Sequence, residues 1–553
     1  MQHIPMTREE MKARGWDQLD VILITGDAYV DHPSFGVAII ARVLEAKGFK
    51  AGVISQPDWK NPEEITKLGK PKLFFGITAG NVDSLVANYT ASRKKRKRDD
   101  YTPGGFGGKR PDRATIVYSN LVRSVFKDVP IILGGIEASL RRFAHYDWWS
   151  NRVRKPVLVD SKADLIAYGM AEKSIIKIAE KLRDTGEIPK DIPGTVYWSS
   201  KKPESGIELP SYDEVSSDRY AYLQAFKILY RETDPVNGRV IYQRQDTRYV
   251  IQNPPVLSTT EELDWVYSLP YTRKVHPHCL KKGHVKALET VKFSITSHRG
   301  CYGECNFCAL TLHQGKYIVS RSEKSIIKET RRLTKDPDFK GVITDVGGPT
   351  ANMYGYDCEK KHKHGACKDK RCLLPHVCPA LKVDHSRYLN LLRKLRNLKG
   401  VKHVFVSSGI RYDLILADKK HGREFLRELV LYHVSGQLKI APEHISARVL
   451  RLMGKPGKDV LDRFIKEFER VKGNKKIYLI GYFIAAHPGS TVEDMKKLKR
   501  YAIRKMGYKP QQVQIFTPTP ATLSTAMYYT ELDPETGENI FVEKTKKEGN
   551  CRR

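Results

Sequence analysis

The segment Gly300-Cys301-Tyr302-Gly303-Glu304-Cys305-Asn306-Phe307-Cys308 carries three cysteines spaced C-x3-C-x2-C. With nine cysteines in 553 residues, random placement yields this spacing about 0.002 times per chain. Thiolates are the ligands of iron–sulfur clusters, and a [4Fe–4S] cube normally takes four of them. Three on one short loop leave one iron open to a small molecule, much as a catalytic zinc keeps an open position. The loop must curl tightly, which Gly303 permits, and it must be presented by the end of a regular element. The residues alone also allow a zinc site in which His313 or a distant cysteine supplies the fourth ligand.

The element that presents the loop is predicted to be the first strand of a strand–helix series. Six strand candidates follow from the apolar pattern: 290–296, 341–346, 402–407, 437–441, 476–485 and 511–517. Helices are predicted between them over 322–333, 385–398, 422–432 and 458–472. Six such units make a partial (β/α)6 barrel of TIM type over residues 288–553, with chemistry at the C-terminal strand ends. Residues 1–185 show an earlier alternation, with strands at 19–24, 51–55, 72–78, 130–133 and 164–168 and helices at 36–47 and 171–182. That pattern predicts a parallel sheet of Rossmann or flavodoxin type. Residues 186–287 are broken by prolines and read as a connector with one helix near 219–230.

The expected strand ends of the second series carry distinctive residues. The second ends Gly347-Gly348-Pro349-Thr350, where paired glycines let a backbone approach a ligand. The third ends Ser408-Gly409-Ile410-Arg411, the fourth Pro442-Glu443-His444, and the fifth His487-Pro488-Gly489-Ser490-Thr491. Read alone, Gly-Gly-Pro is also an ordinary turn, and Arg411 an ordinary surface cation.

The cysteine spacing after a first strand resembles the motif C-x3-C-x-Φ-C of the radical S-adenosylmethionine (SAM) superfamily, with Phe307 at the aromatic position Φ. Longer segments narrow the resemblance: Tyr101-Thr102-Pro103-Gly104-Gly105, residues 108–114, Ile251-Gln252-Asn253-Pro254-Pro255, His313-Gln314-Gly315-Lys316, residues 347–354 and Thr517-Pro518-Thr519-Pro520. Together they are similar to the YgiQ-type radical SAM family over nearly the whole chain. The resemblance implies that Cys301, Cys305 and Cys308 hold [4Fe–4S] and that SAM binds the fourth iron. It further implies that Gly347 and Gly348 meet the amino group of SAM and that Ser408 meets its hydroxyls. Arg411 would pair with its carboxylate, Glu443 would meet the ribose, and Pro488 would form the turn before a helix. Pro349 stands where the superfamily has an acidic residue. The implied reaction is reductive cleavage of SAM to methionine and a 5′-deoxyadenosyl radical, which takes hydrogen from a substrate of unknown identity. The family's N-terminal domain is similar in fold to cobalamin-binding domains. The signature Asp-x-His-x-x-Gly is not met here, because with Gly36 as anchor the His position is Pro33.

A second cysteine group, Cys358, Cys367, Cys372 and Cys378, lies in an insertion at about 354–384. Its spacing matches neither zinc-finger pairs nor ferredoxin runs. Two readings stand: a second metal or cluster, or free thiols on a basic loop. Cys279 and Cys551 are isolated. No apolar run reaches the ~18 residues of a membrane span, so a cytoplasmic protein that makes no membrane contact is expected. The chain has 96 Lys and Arg against 63 Asp and Glu, a net charge of +33, with a basic run Arg93-Lys94-Lys95-Arg96-Lys97-Arg98 expected as an exposed loop. This charge is compatible with a solvated surface, an anionic substrate, or RNA. The leading expectation is therefore a radical SAM enzyme that needs a reductant protein. The alternatives are an RNA-binding or RNA-modifying protein and a non-catalytic iron–sulfur protein.

Overall fold

A computed structural model describes residues 2–511 and 513–544. Cys551 lies outside the described residues. The chain divides into two compact units: Met1–Ser258 with Trp265–Lys292 and Thr519–Ala521, and Thr259–Asp264 with Phe293–Pro518 and the residues from Thr522 onward.

In the first unit, β1 (Val21–Thr25), β2 (Ala51–Ser55), β3 (Phe74–Thr78), β4 (Ile131–Leu133) and β5 (Leu165–Ala167) pair in parallel in the order β2-β1-β3-β4-β5. Every residue of β1 is buried, as a strand covered by helices on both faces must be. One covering helix, α1 (Gly36–Ala46), buries Val37, Ala38, Ile39, Ala41, Val43 and Leu44. The sheet does not stop at residue 185. Strands β6 (Thr195–Ser199), β7 (Ile207–Leu209), β8 (Ile241–Gln245) and β9 (Arg248–Gln252) extend it in the order β5-β6-β9-β8-β7, giving nine strands. Three of the added pairings are antiparallel. These strands are only three to five residues long, and prolines interrupt the segments between them. That is too short for a periodic pattern to declare itself, which is why the region reads as a connector.

In the second unit the strands of the parallel ladders are β10 (Ser294–Thr296), β11 (Val342–Ile343), β12 (Asp345–Gly347), β13 (His403–Val404), β14 (Gln437–Glu443), β15 (Tyr478–Ala485) and β16 (Val513–Ile515), beside a short antiparallel pair, His298–Arg299 with Val319–Ser320. The ladders β10–β12, β11–β13, β14–β15 and β15–β16 are all parallel. A parallel bridge between Ile410 and Ile440 joins the third strand segment to the fourth. The first strand is shorter than expected, since Thr290 and Val291 end a short helix, Ala287–Val291. Leu438 and Ile440 of β14 pack into a core with Ile343, Val346 and Val404 and with helix residues Leu391, Leu392, Phe464 and Phe468. Each such side chain contributes roughly 1.5–3 kcal/mol on full burial. Alternation along the strand turns Gln437 and Lys439 to the opposite, inner face.

Helix α2 (Val492–Met506) follows β15 and is started by a capping box. Thr491 Oγ1 accepts the Asp494 N–H at 3.2 Å, and the Asp494 carboxylate accepts the Thr491 N–H at 3.0 Å. Replacing Thr491 by Ala removes one partner of the box and should cost about 1 kcal/mol. Chemical denaturation monitored by circular dichroism should show this as a lower midpoint; an unchanged midpoint would mean the cap is dispensable.

Candidate active site

The cysteine loop leaves β10 through a residue that only glycine can occupy. Gly300 has φ +84°, and a Cβ there would lie 1.7 Å from the Tyr317 carbonyl oxygen. Gly303 sits between two sulfurs: a Cβ on it would be 3.1 Å from Cys301 Sγ, 3.6 Å from Cys305 Sγ and 3.4 Å from Arg411 Nη1. Its N–H donates to Cys301 Sγ at 3.3 Å. Arg411 Nη1 donates to Cys305 Sγ at 3.7 Å, and the Thr350 hydroxyl lies 3.6 Å from Cys301 Sγ. Burial pushes the Cys308 thiol up to about 12 and raises Cys301 as well. A coordinated thiol is deprotonated outright, and the N–H, O–H and guanidinium groups facing these sulfurs suit thiolate charge. The donor set therefore fits a thiolate-bound iron–sulfur cluster.

Two residues that carried no motif hold the loop in place. Asn306 donates from its side chain to the Leu452 carbonyl and from its backbone to the Met453 carbonyl, each at 2.9 Å, and its own carbonyl accepts the Ser524 N–H at 2.9 Å. Tyr302 is fully buried among Met353, Tyr356, Leu373, Leu381 and Leu414, and its hydroxyl donates to Asp357. An asparagine between two cysteines offers no periodic or spacing signal, so its anchoring role is visible only in three dimensions.

The expected strand ends gather here. Gly347 touches Ser408: a Cβ on Gly347 would lie 2.9 Å from Ser408 Oγ. Gly348 lies against His298, with its Cβ position 2.7 Å from Nε2, and Pro349 leads into Thr350. Ser408 donates its hydroxyl to Asp345, whose carboxylate also accepts the N–H of Ser407 at 2.8 Å and of Ser408 at 3.1 Å. Glu443 is buried in a left-handed conformation, φ +65°, with Lys455 Nζ 3.9 Å away. Burial raises its carboxyl, with Lys455 and Arg411 opposing. The Phe307 ring meets His487 edge-on at 6.3 Å, and His487 Nδ1 lies 2.9 Å from the carbonyl oxygen of Pro488.

Arg411 differs from expectation in its partner. Its Nε and Nη2 grip Asp413 at 2.8 and 2.6 Å in a bidentate fork. The fork expected to face a SAM carboxylate is thus filled from within the chain, and Nη1 is the nitrogen turned to the cysteine loop. Asn352 fixes the backbone, accepting the Arg411 N–H at 2.8 Å and donating to its carbonyl at 3.0 Å.

Among the described residues, no three Cys, His, Asp or Glu side chains converge on a point that one metal ion could occupy. In the second cysteine group Cys358 is buried, Cys367 exposed, and Cys372 and Cys378 half-buried. Cys372 accepts from Lys361 Nζ at 3.7 Å. This insertion packs Cys358 and Leu373 against Tyr302 of the cluster loop, so its visible role is to cover that loop. A cavity of about 340 Å³ lies along the inner strand faces, lined by Phe405, Ser407, Gln437, Lys439, Lys476 and Tyr478.

In the first unit, the chain crosses over between β1 and β3, the place where doubly wound sheets take ligands. Here that crevice is filled. Arg110 donates to Asp27 at 2.6 Å and lies 3.2 Å from Asp99, all three buried. A Cβ on Gly80 would lie 2.1 Å from the Asp27 carboxylate. Burial pushes the Asp27 carboxyl up to about 6 despite Arg110. His32 is buried with Nε2 2.9 Å from Arg273 Nη1.

Comparison with known proteins agrees with this geometry. The family model Radical SAM N-terminal matches residues 3–294, and the Radical SAM superfamily model matches 295–502. A UPF0313 protein of Thermotoga neapolitana is 58% identical over 552 residues, covering 99% of this chain and 97% of its own. A UPF0313 protein of Clostridium botulinum is 52% identical over 562 residues, covering 100% and 86%. The fold is similar to that of the radical SAM methyltransferase TsrM from Kitasatospora setae with tryptophan and a SAM analogue bound: TM-score 0.50, 14% identity, 95% of this chain and 85% of that one. It is also similar to the cobalamin-dependent SAM radical enzyme OxsB with aqua-cobalamin bound: TM-score 0.50, 12% identity, 93% of this chain and 56% of that one. No helix among the described residues is long and apolar enough to cross a membrane. With the two family models together spanning residues 3–502 and relatives identical at more than half of the aligned positions, the chain belongs to the UPF0313, or YgiQ-type, family of radical SAM enzymes.

Proposed function

We propose that Cys301, Cys305 and Cys308 hold a [4Fe–4S] cluster, and that the barrel strand ends hold SAM beside it for reductive cleavage. The observation that carries this reading is the set of sulfurs around Gly303, faced by the Gly303 N–H, the Thr350 hydroxyl and Arg411 Nη1. When bound, the cluster supplies the electron that breaks the S–C5′ bond of SAM, giving methionine and a 5′-deoxyadenosyl radical. The chain's own residues bind, orient and shield. Gly347 and Gly348 leave backbone room for the amino group of SAM, and Pro349 fixes the turn that delivers Thr350. Asp345 holds Ser408 at the rim, Glu443 offers a buried carboxyl to the ribose, and Phe307 with Pro488 closes the wall at the fifth strand. Arg411 acts as a positioning residue: Asp413 fixes it, and it places one N–H on the cluster loop.

An anionic substrate would suit the net charge of +33, and a reductant protein supplies the electrons. Cobalamin, carried by OxsB, does not fit the first unit: the buried Asp27–Arg110 pair fills the crevice and His32 is engaged with Arg273.

Anaerobic reconstitution should give brown protein with about four irons per chain, and Cys305→Ala should lose both iron and colour. Retention of one zinc in place of iron would refute the cluster. Incubation with SAM and dithionite should release 5′-deoxyadenosine; an iron-loaded protein releasing none would be a non-catalytic iron–sulfur protein. Asp413→Asn leaves the buried Arg411 charge without its counter-charge and one arm of its fork facing an amide N–H, a change of up to about 3–5 kcal/mol in such pairs. It should lower both the thermal midpoint and the rate of 5′-deoxyadenosine release, and Asp413→Glu should restore part of each. Desalting after incubation with hydroxocobalamin should leave the wild type without cobalamin absorbance.

A further inference from the structure

The basic run 93–98 is not a loose solvated loop. Arg96 N–H donates to the Asn88 carbonyl at 2.7 Å, and Gly107 N–H donates to the Lys97 carbonyl at 3.0 Å. Asp99 N–H donates to the Gly105 carbonyl at 3.0 Å. Bridges pair Tyr89 with Lys95 and Arg98 with Phe106. The two arms touch: a Cβ on Gly107 would lie 2.5 Å from the Arg96 carbonyl oxygen. The result is an ordered hairpin that holds Lys94, Lys95, Arg96, Lys97 and Arg98 exposed.

Charge is sorted across this hairpin. Asp99, the carboxylate next in sequence, is buried and turned inward, where it accepts the Tyr101 N–H at 3.0 Å and pairs with Arg110. No ion pair reaches Lys95, Lys97 or Arg98 among the described residues. Arg96 Nε donates to the carbonyls of Val86 and Tyr89, which leave its charge uncompensated. The Gly104 N–H donates to the His284 carbonyl at 2.8 Å, which brings up a second basic segment with Lys281, Lys282 and Lys286 exposed.

On the second arm of the hairpin, paired with Arg98, stands Phe106, 70% exposed. Its sequence neighbours are Gly104, Gly105, Gly107 and Gly108. The ring lies against the Gly104 backbone, 3.2 Å from the position of a Cβ there, and no neighbouring side chain in this glycine run covers it. A solvated surface needs charge alone. An uncovered phenyl ring fixed among five outward cations is the pairing that single-stranded nucleic acid uses, with phosphates on the cations and a base stacked on the ring.

We propose that this hairpin is a docking surface for single-stranded nucleic acid, with Phe106 as the stacking platform and Lys95, Lys97 and Arg98 as phosphate contacts. The inference is independent of the cluster, and its test reads binding alone. Full-length reconstituted protein is titrated against a fluorescein-labelled oligouridylate of about 12 nucleotides, followed by anisotropy over a salt series. The wild type should bind with log K falling about 0.7 per phosphate neutralised as log salt rises. The triple variant Lys95→Ala, Lys97→Ala, Arg98→Ala should weaken binding on the order of 100-fold and reduce the slope by about 2. Phe106→Ala should weaken it about 10-fold at unchanged slope, which a purely electrostatic surface would not do. A circular dichroism spectrum and thermal midpoint equal to wild type certify that each variant is folded.

An oligodeoxythymidylate of equal length separates DNA from RNA: the arm that binds more tightly names the polymer. Absence of salt-dependent binding to either would overturn the proposal. So would a Phe106→Ala variant that binds as wild type. Binding to phosphatidylserine vesicles with none to either oligonucleotide would overturn it in favour of a membrane surface.

Discussion

The guanidinium of Arg411 is the constraint on which the site depends. A buried cation in an apolar setting is costly unless every N–H is answered. Asp413 answers two of its nitrogens through the bidentate fork, and the third is turned to Cys305 Sγ. Asn352 locks the same residue's backbone from the second strand end. One charge thus sets the distance between the second and third strand ends and the loop that leaves the first. The rest of the site is arranged around that fixed point. Thr350 reaches Cys301 from one side, and Glu443 with Lys455 closes the other.

Much of this was legible in the sequence because its signals are local. The cysteine triplet is a spacing, and β1 and β15 are apolar runs long enough to declare themselves. Gly347, Ser408, Glu443 and Pro488 stand at strand ends that the alternation of strand and helix locates. What could not be read is pairing over distance. Nothing in the order of residues says that Asp413 fills the Arg411 fork, two positions away in the chain, since the same pair on a surface helix would point outward. Asn306 looks like filler between two cysteines. The strands β6 to β9 are shorter than the window in which a period can be recognised, so four of the nine strands of the first sheet read as a linker. The second cysteine group has the composition of a metal site, yet its members differ widely in burial, and packing over Tyr302 explains why apolar thiols are tolerated there.

The first unit handles charge in opposite ways in its interior and on its hairpin. At the crossover of the first sheet, Arg110 is shared between Asp27 and Asp99 in the interior, and the space a ligand would occupy is taken by the chain itself. Asp99 is therefore withdrawn from the adjoining hairpin, whose cations face outward without it. The net charge of +33 is thus not a uniform property of the surface. Burial of Asp27 and Asp99 beside a single Arg110 takes two acids and one base off the surface, which leaves the exposed run 94–98 basic, with the exposed Asp100 turned to Lys286.

Asn306 carries a further consequence. The partners that hold the cluster loop, the carbonyls of Leu452 and Met453 and the N–H of Ser524, are supplied by segments far downstream of the cysteines. During synthesis the three thiols emerge from the ribosome before these partners exist, and the nearer holds on the loop, Tyr317, Asp357 and Arg411, come first. The grip on Asn306 is completed only once Ser524 has been made, so a product truncated before Leu452 has the cysteines but not that grip.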